Sequence, residues 1–101
     1  MKEAAAMIKA HIEAQTGSTL DPRDVKHTIA SEPGVDIKLS PLAEKYFPFS
    51  AEVKNVEKLN IWSAIKQAEA NCLPNTHPMI IFRRNHERMW VVLPAEAYFQ
   101  K

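Results

Sequence analysis

Hydrophobic and polar positions recur with two periods along this chain, and each change of period marks an element. Over 2–15 the spacing is helical, with Met7, Ile8 and Ile12 on one apolar stripe among alanines. Thr16-Gly17-Ser18 ends that helix. Asp21-Pro22 has the form of an N-cap and first helical residue, predicting a short helical turn over 22–26. Val25, Thr28 and Ile29 fit a segment leading into a sheet, and Ser31-Glu32-Pro33-Gly34 fits a turn. Over 35–39 the period drops to two, predicting a strand with Asp36 on one face. Ser40-Pro41 then starts a short helix through Leu42, Ala43 and Tyr46. A second strand is predicted over 49–56, with Phe49, Ala51 and Val53 on one side and Ser50, Glu52, Lys54 and Val56 on the other. Helical spacing returns over 60–71, where Asn60 caps and Ile61, Ile65 and Ala68 share a stripe beside Trp62 and Lys66. Pro74 and Pro78 frame a loop, and 79–82 with 89–93 read as a hairpin around Asn85-His86-Glu87. A short helix bearing Tyr98 and Phe99 follows Pro94. The principal order, α–β–β–α–β–β, predicts a mixed α/β sheet flanked by helices.

One polar row stands out on these apolar elements. Glu52 and Lys54 are two apart on a strand and so share a face. If Asp36 ends a neighbouring strand, two carboxylates and one ammonium meet at one point. That set suits phosphodiester hydrolysis, in which a divalent ion polarises a non-bridging oxygen and lowers the pKa of bound water. Glu-x-Lys is common by chance, so its surroundings have to carry part of the weight.

Those surroundings form an ordered series. Gly34-Val35-Asp36-Ile37-Lys38-Leu39-Ser40-Pro41 is followed by Phe47-Pro48-Phe49-Ser50-Ala51-Glu52-Val53-Lys54-Asn55 and Leu59-Asn60-Ile61-Trp62. Gln67-Ala68-Glu69-Ala70-Asn71, Ile81-Phe82-Arg83-Arg84-Asn85 and Trp90-Val91-Val92-Leu93-Pro94 continue it. Over about residues 20–99 the series resembles small phage-type nucleases of the PD-(D/E)xK superfamily, related to archaeal-type Holliday junction resolvases. Val35 stands where that superfamily has proline before its first aspartate. The resemblance implies a restriction-endonuclease-like single domain over 1–101 and a Mg²⁺-dependent endodeoxyribonuclease, with Mn²⁺ as a substitute. It implies Asp36, Glu52 and the Val53 carbonyl as metal ligands, and Lys54 as the group that orients water or meets developing charge. A further acid from the first helix, Glu3 or Glu13, is open. Lys58, Gln67, Arg83, Arg84 and Arg88 are candidate DNA contacts; Ser31 and Ser40 have weaker claims.

Composition narrows the alternatives only a little. With 101 residues, 46% of them hydrophobic, one modest core is expected, and no apolar run approaches the roughly 20 residues of a membrane span. The start of the chain does not read as a secretory signal. A net charge of +1 is not the strongly basic balance common in DNA-binding proteins, but site carboxylates cancel basic residues in that sum. Cys72 is the single cysteine, which fits a reducing, cytoplasmic setting (phage-encoded or host) and a half-buried structural thiol at a helix end. His11-Ile12-Glu13 lacks the later P-C-x-x-C that zinc deaminases need, and His11, His27, His77 and His86 are too scattered for structural zinc. No phosphate-binding glycine loop is present.

Without a separate sequence-reading domain, shape and phosphate backbone are what a nuclease of this size would recognise, which favours a junction or other branched substrate. Symmetric cutting of two strands calls for a C₂ homodimer, with Trp62, Ile65, Phe82 or Trp90 near its interface. Trp62 and Trp90 are expected in the core or at that interface. The alternatives are a non-catalytic DNA-binding module on the same fold and a repair or restriction-type nuclease acting on duplex.

Overall fold

Parallel strands cannot be joined by a tight turn, and the central unit of this fold obeys that constraint. In the computed structural model, which describes residues 2–27 and 36–100, β3 (Phe49–Asn55) and β4 (His77–Arg83) pair in parallel, from Phe49↔His77 to Asn55↔Arg83. The crossover between them is α3 (Ile61–Ala70). β5 (Trp90–Val92) adds to β4 antiparallel, giving a mixed sheet of order β3-β4-β5. A separate antiparallel pair, β1 (Val25–His27) and β2 (Ile37–Leu39), runs from Val25↔Leu39 to His27↔Ile37. Three further helices complete the described chain: α1 (Lys2–Thr16), α2 (Pro41–Tyr46) and α4 (Ala95–Phe99). The class is α/β, a mixed sheet with helices.

The sheet separates two cores. On one face Ile8 and Ile12 of α1 pack with Val25, Ile37, Phe47, Ala51, Met79 and Ile81. On the other, Ala64 and Ala68 of α3 cover Ile80, flanked by Ile65, Phe82 and Val92. Local chemistry sets the ends of the helices. Gly17 sits at φ +71° and its N–H returns to Glu13 O at 2.8 Å, a left-handed stop that suits glycine. Ser40 Oγ and Asn60 Oδ1 each accept from an N–H three residues on, at 3.1 Å, capping α2 and α3.

Several expectations are corrected. Met7 lies outside the buried stripe, which runs Ala4, Ile8, Ile12 at i, i+4 spacing, and is largely exposed. Residues 22–24 form only a turn, so the helical turn expected over 22–26 is not formed; Val25, buried opposite Leu39, begins a strand, in keeping with its expected place at the entry to a sheet. Pro78 belongs to β4 and not to a loop. β5 pairs only with residues 80–82, so Pro78 lies where β4 is itself an edge and a missing N–H costs little. Trp62 and Trp90 are not core residues: they are 72% and 58% exposed. The expectations for Thr28, Ile29, the 31–34 turn with Ser31, and Val35 lie outside the described residues.

Candidate active site

Alternate side chains of β3 leave the strand on opposite faces, and the row Ser50, Glu52, Lys54 meets α3. Two strand residues advance about 6.6 Å and four helical residues about 6 Å. A strand row spaced by two therefore matches a helix row spaced by four. Lys54 Nζ donates to Gln67 Oε1 at 2.6 Å, and Asn71 Nδ2, at the C-cap of α3, donates to Glu52 Oε1 at 2.8 Å. One step further, the Ser50 hydroxyl accepts from Leu73 N–H at 3.0 Å and lies 2.6 Å from Thr76 Oγ1. Ser50 and Glu52 are thus roofed by the end of α3 and the loop after it, while Lys54 at the end of the row stays half-exposed.

Asp36 reaches the same strand from its other edge. It stands just before β2; its N–H donates to Ala51 O at 3.2 Å and its Oδ2 accepts from Val53 N–H at 2.7 Å. In a parallel ladder a backbone carbonyl would take that second N–H; here a carboxylate takes it. The N–H and C=O of one strand residue point to the same edge, so the Val53 carbonyl also faces the Asp36 side.

Glu52 is 2% exposed. Burial pushes its carboxyl above the ordinary value of 4.5, and the Asp36 charge, within hydrogen-bonding range, pushes the same way. The Asn71 amide and the Lys54 ammonium oppose both. Among the described residues the Val53 N–H and the Asn71 amide are the hydrogen-bond donors to this pair, fewer than two carboxylates can accept. Two adjacent carboxylates, one of them buried, beside a carbonyl at a strand edge have the oxygen donors that a hard divalent cation takes. No group of three or more His, Cys, Asp or Glu side chains converges among the described residues. A cation held there would complete its shell with water and substrate oxygens, as Mg²⁺ readily does.

The remaining candidates are spread over the surface. Glu13 Oε2 accepts from Leu20 N–H at 2.7 Å and pins the segment that follows α1. Glu3 pairs with Arg83; its own backbone N–H, and then Arg83, hold its carboxyl below the usual range. Neither acid joins Asp36 and Glu52. Lys58, Arg84 and Arg88 are exposed, the first after β3 and the others at the β4–β5 tip. Ser40 is committed as the cap of α2. Cys72 is half-buried just beyond α3, its Sγ 3.4 Å from Thr76 O.

Comparison with protein-family models, with curated proteins and with solved structures returned no match. The chemistry of the site therefore has to be read from its own geometry. That geometry adds one residue that was not among the sequence candidates, Asn71. Its signal was present: Gln67 and Asn71 repeat at i, i+4 on the helix that follows a strand carrying Glu52 and Lys54 at i, i+2.

Proposed function

We propose that this protein is a divalent-metal-dependent endodeoxyribonuclease of the PD-(D/E)xK type, acting on branched DNA such as a four-way junction. The observation that carries the reading is the meeting of Asp36, Glu52, the Val53 carbonyl edge and Lys54 around one strand. Asp36, Glu52 and the Val53 carbonyl would hold Mg²⁺, with Mn²⁺ as a substitute. When bound, the ion polarises a phosphate oxygen and lowers the pKa of water. Lys54, held by Gln67 at 2.6 Å, supplies positive charge where negative charge builds on the phosphate. Asn71 keeps the Glu52 carboxylate oriented at 2.8 Å. The exposed Lys58, Arg84 and Arg88 contribute backbone neutralisation. Two-strand cutting needs two such sites, which a C₂ homodimer would provide.

The test is cleavage of a labelled four-way junction beside linear duplex, in Mg²⁺ and in EDTA, with wild type and Glu52→Gln. Paired incisions near the branch, present only in Mg²⁺ and lost in the variant, are expected. Equal cutting of both substrates would keep the nuclease and remove the branch preference. Tight binding without cutting in Mg²⁺ or Mn²⁺ would leave a DNA-binding module.

A further inference from the structure

The sheet register aligns three side chains across the α3 face. Lys54 is opposite Phe82 in the β3–β4 pairing, and Phe82 is opposite Trp90 in the β4–β5 pairing. Strand parity keeps all three on one face. Two strand spacings separate the ends of the row, so the Cα atoms of Lys54 and Trp90 are about 10 Å apart. The next row, Glu52, Ile80 and Val92, lies nearer to the apolar side of α3, where Ala64 and Ala68 bury Ile80. α3 does not extend its cover to Trp90, which keeps 58% of its surface exposed.

A cleft of about 260 Å³ opens beside this indole, with Val56, Leu59 and Phe82 as its other apolar walls. Arg84 and Arg88 stand on its rim. Glu57 and Glu87 line it as well, Glu57 accepting from Asn85 N–H at 3.3 Å, so two carboxylates share the cleft with the guanidinium groups. Arg83, also at the cleft, is paired with Glu3. Among the described residues neither Arg84 nor Arg88 has an ion-pair partner, and an exposed aromatic face with such guanidinium groups beside it combines the two contacts used to hold single-stranded nucleic acid: base stacking and phosphate neutralisation. Bases inside a duplex already stack on their neighbours, so this face can receive only a base that has left the stack.

We propose that Trp90 is a stacking platform for an unpaired base on the strand whose phosphate lies at Lys54. The substrate class is then DNA with single-stranded or unstacked character next to the scissile bond, not intact duplex. The placement of the phosphate rests on the nuclease reading above; the stacking itself does not.

The experiment is fluorescence anisotropy in EDTA with a labelled oligothymidylate and a blunt duplex, using wild type, Trp90→Ala, Trp90→Phe and Tyr98→Ala. Trp90→Ala is expected to weaken single-strand binding about 5- to 150-fold, the loss of one base stack. Trp90→Phe retains most of the affinity, because a phenyl ring still offers a π face, and so separates stacking from damage to the fold. Duplex binding changes little in either variant. Tyr98→Ala, at a still more exposed aromatic on α4, changes neither. Equal weakening on both substrates, no weakening, or no binding by wild type would each overturn the proposal. So would a Trp90→Ala protein with unchanged single-strand affinity that sediments as monomer where wild type is a dimer, because the face would then belong to a second copy. Cleavage in Mg²⁺, run in parallel, separates the two readings. If wild type cuts nothing but the Trp90-dependent selectivity persists, the nuclease reading falls and the platform stands.

Discussion

Glu52 concentrates the conflict between stability and chemistry in this protein. A carboxylate that is 2% exposed, with a second carboxylate in hydrogen-bonding range, is held at a cost that one amide and one ammonium only partly offset. The sign of the pH dependence follows from the raised pKa. Below the ordinary value of 4.5 the group is protonated in both folded and unfolded chains and contributes nothing to the balance. As pH rises from there through the raised folded value, the unfolded chain releases a proton that the folded chain retains, so stability falls. Above the folded value the penalty is complete. Glu52→Gln keeps an acceptor for Asn71 and removes the charge. In EDTA the variant is therefore expected to show a flatter decline as pH rises from 4.5 and to melt above wild type once pH exceeds the raised folded value, read by thermal denaturation across pH. A variant with the wild-type pH profile would contradict the burial argument. Sequence pattern identified Glu52 as a face partner of Lys54. Its burial came from Asn71 and the loop after α3, contacts across 19 and more residues that a period of two does not encode.

At the scale of elements, the match between β3 and α3 holds the site. Lys54 with Gln67, Glu52 with Asn71, and Ser50 with Leu73 and Thr76 are successive contacts along one antiparallel seam. Ser50 carries two of these at once while buried, so its hydroxyl has no apolar substitute. Ser50→Ala would leave the Leu73 N–H without its acceptor, while Thr76 Oγ1 keeps its bond to Leu73 O at 2.7 Å, and is expected to cost about 1–3 kcal/mol in chemical denaturation with an unchanged m-value. Helix starts were legible because capping is local: Ser40 and Asn60 act within three residues. Strand limits were less so. Val25 reads equally as the end of a helical turn, and only its pairing with Leu39 makes it a strand; Pro78 is tolerated only because β5 is three residues long.

At the scale of the molecule, the net charge of +1 includes Arg84 and Arg88 at one tip, with Glu87 between them, and Lys58 exposed after β3 beside Glu57. If these three meet phosphates, each charge removed should lower the salt slope of DNA binding by about one. Arg84→Ala with Arg88→Ala is expected to weaken binding to single strand and duplex alike and to flatten the plot of log K against log salt, measured by anisotropy titration. An unchanged slope would take the tip out of the interface. Among the described residues no helix is long and apolar enough to cross a membrane. What the sequence determined by itself was local: helical and strand periods, the caps at Ser40 and Asn60, the glycine stop at Gly17, and the shared face of Glu52 and Lys54. Those features depend on dihedral preference and on neighbours within a turn or two. The tertiary structure decided which polar row is roofed, that Asp36 caps the free edge of β3 through Val53 N–H, and that Trp90 is left bare in line with Lys54. Each of these depends on which elements pack together and how far each one extends, and a one-dimensional pattern of polar and apolar positions carries no measure of either.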